Sequence, residues 1–165
     1  MDEPVVLANQ NVYFTVTNVL VLNEKNQLLV LRRSEWKRIP GEDYRPDLSH
    51  QTDLPGGMVG DQAVEEDVTT GTLRELFEET GIEAPFNQAR LAYAETSYRK
   101  HGERSQARLV YLLKLDHTPT VSLSWEHESF EWVPIAEVVG NNYLHSGVHR
   151  RAVDYIVSHP TIFNI

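Results

Sequence analysis

The stretch LPGGMVGDQAVEEDVTTGTLRELFEETGI, residues 54–82, carries the strongest structural signal in this sequence. It opens on Leu54-Pro55-Gly56-Gly57, which breaks regular structure and whose glycines let other groups approach the backbone closely. From about Gln62 to Thr80 apolar residues recur at four-residue steps, which predicts a helix. Gly81 is well placed to end this helix in a left-handed cap. Thr69, Thr70 and Gly71 are poor helix formers, so a later start of the helix is the alternative.

Three carboxylates occupy the final turns of this predicted helix. At about 100° per residue, Glu75, Glu78 and Glu79 fall within about a 100° arc and face the same way. Converging carboxylates repel one another unless a cation lies among them, and hard oxygen ligands suit Mg²⁺ or Mn²⁺. Arg74 can orient one of them through a forked ion pair. A solvated acidic face is the structural alternative, but the glycine-rich loop just upstream favours a metal site.

Gly57, Glu66 and the run from Arg74 to Ile82 resemble the Nudix box. The pattern of that box is Gly, five residues, Glu, seven residues, then Arg-Glu-apolar-x-Glu-Glu-x-Gly-apolar, and it is matched at every specified position from Glu66 to Ile82. Eight residues separate Gly57 from Glu66 where the pattern has five, which we interpret as a three-residue enlargement of the loop. Gly60 satisfies the count literally. The enlargement leaves two nearby acids as substitutes for Glu66, namely Glu65 and Asp61.

The resemblance implies a Nudix fold, an α/β/α sandwich of the α+β class with a central mixed β-sheet flanked by helices, in a single domain over residues 1–165. It implies Mg²⁺-dependent hydrolysis, with Mn²⁺ able to substitute, of a phosphoanhydride bond in a nucleoside diphosphate linked to another moiety. Such a substrate is a nucleoside triphosphate, a nucleotide sugar or a dinucleotide polyphosphate. The implied metal ligands are Gly57, Glu66, Glu75, Glu78 and Glu79. Arg74 would orient the carboxylates, and the general base stays open between Glu75, Glu126 and Glu128.

Strands and helices are mixed in the rest of the chain without regular βαβ alternation, which favours an α+β arrangement around one mixed sheet. Enrichment in β-branched and aromatic residues predicts the strands. The predicted elements are a hairpin of Val12–Leu22 and Leu28–Leu31, a second hairpin of Ala89–Ser97 and Ala107–Leu115, a short strand Phe130–Val133, and a helix after Gly147.

An irregular, cation-rich stretch runs from Arg33 to Asp53 and is longer than ordinary connections. It suits a role in gripping phosphates and stacking on a base, although a solvated loop is the alternative. The residues that carry this hypothesis are Arg32, Arg33, Trp36, Lys37, Arg38, Tyr44 and Arg45, of which Arg32, Arg33, Arg38 and Arg45 are the predicted substrate-binding residues.

The overall composition narrows the possible partners. A formal net charge of −9 disfavours nucleic-acid binding, because such proteins carry a surplus of Lys and Arg, yet it is compatible with a small nucleotide-type substrate. The sequence has no Cys, which excludes disulfides, thiolate zinc sites and Cys nucleophiles. The amino terminus has no basic n-region, and no apolar run approaches the roughly 20 residues of a membrane span. We therefore expect a cytoplasmic protein without a membrane partner, and a homodimer stays open.

Two other functions share parts of this pattern. An isopentenyl-diphosphate isomerase has the same fold and resembles the Arg32-Arg33-Ser34 and Lys37 neighbourhood, but it is expected to use a catalytic Cys. A non-catalytic, nucleotide-sensing Nudix domain typically has a degenerate box, whereas every box carboxylate is present here. His145 and His149 are four residues apart, but without a His-Glu-x-x-His pattern we predict that they are surface or packing residues.

Overall fold

The computed structural model describes residues 13–35, 46–60, 66–99 and 104–165. Strands and helices alternate irregularly along this part of the chain. The strands are β1 (Tyr13–Leu22), β2 (Gln27–Arg33), β3 (Thr52–Asp53), β4 (Met58–Val59), β5 (Ala89–Arg99), β6 (Arg104–Lys114) and β7 (His127–Pro134). The helices are α1 (Val68–Thr80), α2 (Ile135–Val138), α3 (Gly147–Ser158) and α4 (Pro160–Phe163), with short 3-10 turns at Pro46–Leu48 and Phe86–Gln88.

The sheet is mixed, with β1 in its middle. β1 runs parallel to β6 along its whole length, and β6 pairs antiparallel with β5. On its other side β1 pairs antiparallel with β4 and meets β2 where Leu22 lies opposite Leu28. β2 in turn pairs antiparallel with β3 and β7. Both predicted hairpins are confirmed, whereas the β1–β6 and β2–β7 pairings join segments that are distant in sequence.

Each face of the sheet carries its own hydrophobic core, because side chains alternate between faces along a strand. Leu20 and Leu22 of β1 pack in a cluster with α3 residues such as Ile156, while Val19 and Val21 pack in a second cluster with Leu76 of α1. Leu76 is fully buried, and burial of a leucine side chain stabilises a fold by about 2 kcal/mol. Helices therefore cover both faces, and the prediction of an α+β sandwich with a mixed sheet is confirmed.

The box helix α1 begins at Val68, so the predicted start near Gln62 is wrong. Asp67 is the N-cap, and its side chain accepts hydrogen bonds from the amides of Thr69 and Thr70, both at 3.0 Å. This capping fixes the first turn and makes the later start the correct one. Gly81 ends the helix in a left-handed conformation, φ 69°, and donates to the carbonyl of Phe77 at 2.8 Å, as predicted.

The other predicted elements are confirmed with shifted ends. The strand predicted at Phe130–Val133 extends over all of β7, and the second hairpin has longer strands than predicted. The stretch from Arg33 to Asp53 is not wholly irregular, since its last two residues form β3 against β2. Its residues 36–45 lie outside the described residues, and with them Trp36, Lys37, Arg38, Tyr44 and Arg45.

In the part of the chain that the structure describes, the helices are too short or too polar to cross a bilayer.

Candidate active site

The loop Leu54–Gly57 is held against β1 by backbone hydrogen bonds. The amide of Val19 donates to the Pro55 carbonyl at 2.8 Å, and the amide of Thr17 donates to the Gly57 carbonyl at 2.9 Å. Gly56 has φ +142°, and a Cβ placed on it would lie 2.1 Å from the carbonyl oxygen of Thr17. Only glycine fits there. The close approach fixes the loop beside the end of α1.

Glu79 is a buried carboxylate that faces this loop. It is 5% exposed, and its Oε2 accepts a hydrogen bond of 2.7 Å from the amide of Gly56. Burial raises the pKa of Glu79 well above its usual value; nearby Asp53 and Glu126 raise this pKa further, and the Gly56 amide and Arg33 oppose the shift. A carboxylate in this position favours a proton or a bound cation over an uncompensated negative charge.

Glu75 packs directly on the glycine that opens the box. A Cβ built on Gly57 would lie 2.3 Å from Oε2 of Glu75, so the carboxylate occupies the space that any other residue type would fill. Its other oxygen pairs with Nη1 of Arg74 at 2.8 Å. The absence of a side chain at Gly57 therefore leaves room for the carboxylate of Glu75, which lies one turn before Glu79 on α1.

Arg74 connects three carboxylates. It forms a forked pair with Glu66, at 2.9 Å from Nη2 and 3.3 Å from Nε. Its Nη1 also contacts Glu75 at 2.8 Å and Glu78 at 3.0 Å. The hydrogen bond from Arg74, followed by one from the Gly60 amide, lowers the pKa of Glu66. Glu66 thus reaches the box helix despite the enlarged loop, whereas its two substitutes, Glu65 and Asp61, lie outside the described residues.

The box carboxylates differ in their surroundings. Glu79 is buried, the Glu75 side chain is 13% exposed and the Glu78 side chain is 49% exposed. Arg74 pairs with Glu75 and Glu78, whereas Glu79 accepts its hydrogen bond from the Gly56 amide. Over residues 13–35, 46–60, 66–99 and 104–165, the structure has no group of three or more His, Asp or Glu side chains close enough to hold a metal ion.

A cleft of about 770 Å³ opens beside Glu79, within the size range of small-molecule sites. It contains several of the predicted residues, namely Arg33, Gly57, Glu75, Glu79 and Glu126. Asp53, Arg108, His145 and His149 also line it. The predicted residues Glu66, Arg74, Glu78, Arg32 and Glu128 do not.

The arginines at the end of β2 point in different directions, as expected for consecutive strand residues. Arg33 forms an ion pair with Asp53 in the cleft. Arg32 instead donates from Nη1 to the His50 carbonyl at 2.7 Å. Of the candidate bases, Glu126 lines the cleft, while Glu128 has both carboxylate oxygens 2.9 Å from Nδ1 of His50.

Asp53, His127 and His149 were not singled out as functional candidates from the sequence, and all three are buried. Nδ1 of His149 lies 3.5 Å from Oδ1 of Asp53. Burial lowers the pKa of each histidine from 6.5 to about 4. We therefore assign both as neutral imidazoles, although Asp53 alone would favour their charged forms. His149 is buried and His145 is exposed, in line with the prediction of surface or packing positions for that pair. The spacing of His149 and Val153 on the buried face of α3 was the available signal for the burial of His149.

The buried His149 predicts loss of stability in acid. The unfolded chain takes up its proton near pH 6.5 and the folded chain only near pH 4, so the stability contributed by the neutral form is present above pH 6.5 and declines as the pH falls toward 4. When the pH is lowered from about 7.5 to about 5, we expect the free energy of unfolding of the parent to fall by about 2 kcal/mol more than that of His149→Gln. Urea titrations measure this, with His145→Gln as the exposed control. Equal losses in the parent and His149→Gln would contradict the assignment.

The fold and this site define an α/β/α sandwich with an acidic box helix at one edge of a cleft. The chain belongs to the NUDIX domain family, whose family model matches residues 12–156. The family prediction is thereby confirmed, and with it the prediction of an enzyme of the Nudix hydrolase class.

Solved structures share this fold. The MutT protein from Methanosarcina mazei Go1 is 26% identical, with 92% of this chain and 98% of that chain covered and a TM-score of 0.70. The Ap4A hydrolase of C. elegans, in a binary complex, is 19% identical, with coverages of 91% and 99% and a TM-score of 0.65. The dihydroneopterin triphosphate pyrophosphohydrolase of E. coli is 18% identical, with coverages of 90% and 99% and a TM-score of 0.66. A comparison with curated proteins found no significant sequence match.

Proposed function

We propose that this protein is a single-domain, cytoplasmic hydrolase that uses Mg²⁺ or Mn²⁺ to cleave a phosphoanhydride bond in a nucleoside diphosphate linked to another moiety. The observation that carries the proposal is Glu79, a buried carboxylate that lies near Asp53 and Glu126 in a cleft of ligand size. A buried negative charge without a partner lowers the stability of a fold, whereas a bound cation offsets the penalty of burying that charge.

The donor set fits a hard divalent cation. Glu79, Glu75 and Gly57 line the cleft, and carboxylate and backbone carbonyl oxygens are the ligand types that Mg²⁺ and Mn²⁺ prefer. The Gly57 carbonyl already accepts one hydrogen bond, from the Thr17 amide, and the proposed metal would use its second lone pair. Glu66 and Glu78 are the other proposed ligands, and both are oriented by Arg74. When bound, the metal would neutralise phosphate oxygens and stabilise the charge that develops on them during hydrolysis.

The residues of the chain have separate roles in this proposal. The Gly56 amide holds Glu79 in place, and Arg74 restrains Glu75. Arg33 lines the cleft and is the predicted arginine that we propose first as a phosphate contact. Arg38 and Arg45 stay in the proposal as contacts from the segment after β2. Arg32 of β2 stays in it as well, with its guanidinium bonded to the His50 carbonyl outside the cleft. Their cations would supply the charge that an acidic protein needs for an anionic substrate.

The position of Glu126 favours it over Glu128 as the general base, because Glu126 lines the cleft and is close enough to raise the pKa of Glu79. We expect Glu126→Gln to lower kcat about a hundredfold and Glu128→Gln to change it less than about threefold. Steady-state kinetics on the matched pair measures this difference. A larger loss in Glu128→Gln would return the role to that residue, and equal small losses would leave Glu75 as the base.

Structures with this fold are named for phosphate-rich substrates, Ap4A in one case and dihydroneopterin triphosphate in another. These names support the proposed bond type. The proposed substrate of this chain is a nucleoside triphosphate, a nucleotide sugar or a dinucleotide polyphosphate. The proposed partners are small nucleotides rather than nucleic acids, with a homodimer as the alternative to a monomer.

The proposed function is tested by incubating the purified protein with Mg²⁺ and a panel of the three nucleotide classes and isopentenyl diphosphate, with product detection by chromatography. We expect one class to be cleaved, turnover to stop in excess chelator, and added Mg²⁺ or Mn²⁺ to restore it. Full turnover in excess chelator would refute the metal mechanism. Nucleotide binding without cleavage would favour the sensing domain, and conversion of isopentenyl diphosphate would favour the isomerase.

A further inference from the structure

The first turn of α3 lines the same cleft as the box helix, through Ser146, Gly147 and His149. Ser146 is the N-cap, with φ −72° and ψ 127°, but its side chain makes no capping hydrogen bond. The first helical hydrogen bond runs from the Arg150 amide to the Ser146 carbonyl at 3.1 Å. The three preceding amides, from Gly147 to His149, have no acceptor among the described residues. A helix start with open amides carries partial positive charge.

The side chain of His149 is an independent sign of a ligand at this position. It is 2% exposed and it lines the cleft. Nδ1 lies 3.5 Å from Oδ1 of Asp53, but in the described part of the chain neither ring nitrogen makes a hydrogen bond. Asp53, its nearest acid, already accepts a hydrogen bond of 2.9 Å from the Leu54 amide and pairs with Arg33. Buried polar groups in folded proteins are nearly always paired, so a ligand atom is a natural partner for this imidazole.

Two arginines lie near the same turn, together with one acid. Asp53 raises the pKa of His149, and Arg108 of β6 and Arg33 are close enough to lower it. Arg108 and His145 also line the cleft. Three glutamates also line the cleft, namely Glu75 and Glu79 of the box helix and Glu126 just before β7. The cleft therefore has an acidic part suited to cations and a basic part suited to an anion.

We propose that the first turn of α3 is a second anion subsite, which binds a phosphate group of the substrate other than those joined by the scissile bond. The amides of residues 147–149, the His149 ring and Arg108 would donate to the phosphate oxygens. The inference rests on the proposed function and narrows its substrate class. It selects phosphoanhydrides that carry at least one phosphate beyond the two at the cleaved bond.

The subsite is tested by titrating the whole protein with inorganic phosphate in excess chelator, so that metal at the box does not contribute, and following amide NMR signals. We expect saturable shifts at residues 147–149. Gly147→Pro removes one N–H at a helix position that accepts proline and follows an extended residue. It should weaken phosphate binding about tenfold. Gly147→Ala is the matched control, because it adds a Cβ but keeps the N–H; the nearest atom, 3.1 Å from that Cβ, is the flexible end of Arg151.

Further measurements separate this inference from the proposed function. Phosphate should bind Glu79→Gln with parental affinity even though that variant loses activity, and Arg108→Gln should weaken binding at least about threefold. With the best substrate, Gly147→Pro should raise KM about tenfold with little change in kcat, and inorganic phosphate should inhibit competitively. Equal phosphate affinity in the proline and alanine variants, or shifts confined to other residues, would overturn the subsite. Phosphate binding with an unchanged KM would overturn its assignment to the substrate.

Discussion

Replacing Glu79 by Gln is expected to lower kcat on the order of a hundredfold or more while leaving the fold intact. The amide oxygen of Gln can still accept the hydrogen bond from Gly56, which is 2.7 Å long in the parent. The variant lacks the negative charge that the proposed cation would neutralise. Because burial raises the pKa of this carboxylate, removing its charge should not destabilise the metal-free protein. Steady-state kinetics and thermal melts in chelator measure the two effects.

The matched control is Glu83→Gln, an exposed carboxylate just beyond the same helix that does not line the cleft. It should keep parental kcat and shift stability by less than about 0.5 kcal/mol. A Glu79→Gln protein that melts like the parent and retains comparable turnover would remove Glu79 from the site. A variant that loses activity only because it unfolds would show that the carboxylate is structural.

Replacing Gly57 by Ala is expected to reduce kcat/KM about tenfold to a hundredfold, because the new Cβ would lie 2.3 Å from Oε2 of Glu75 and force that side chain to move. Gly57 does not have the positive φ of its neighbour Gly56, so the substitution displaces a carboxylate without straining the backbone. Kinetics of the purified variant, with a melt to confirm folding, measure the effect.

A double-mutant cycle isolates the contact between Gly57 and Glu75. In a Glu75→Ala background the added methyl group has no carboxylate to displace, so Gly57→Ala should then cost less than about twofold. Gly140→Ala is the control for glycine replacement, since it has φ +72° and no atom within 4 Å of the added Cβ. It should reduce stability but not activity. Additive losses in the cycle would show that Gly57 acts independently of Glu75.

Local elements were predictable because their signals are local. The enrichment of β1 in β-branched and aromatic residues and the left-handed position of Gly81 depend on short stretches of sequence. The start of α1 was predicted too early because the apolar spacing extends upstream of Asp67. The side chain of Asp67 caps the helix, and this cap fixes its start at Val68. The parallel pairing of β1 with β6 could not be predicted, since it joins residues about ninety positions apart and depends on the packing of both cores.

The candidate site was predictable where its residues belong to the box, and less so elsewhere. Spacing on a helix places Glu75, Glu78 and Glu79 on one side, but it does not show that Arg74 pairs with two of them and leaves the third buried. Asp53 enters the cleft because β3 pairs with β2, a contact between distant segments. The sequence left His149 as a surface or packing residue, although its spacing from Val153 on α3 indicates the buried face. Its place in the cleft depends on how α3 packs on the sheet.

The most direct measurement of the central claim is calorimetric titration of the metal-free parent and Glu79→Gln with Mn²⁺, at matched protein concentration and neutral pH. We predict saturable binding to the parent and at least about tenfold weaker binding to Glu79→Gln, because the buried carboxylate is the principal proposed ligand. Glu83→Gln should bind like the parent. Equal Mn²⁺ affinity in the parent and Glu79→Gln, or no binding to the parent even with nucleotide present, would contradict a metal site at this helix.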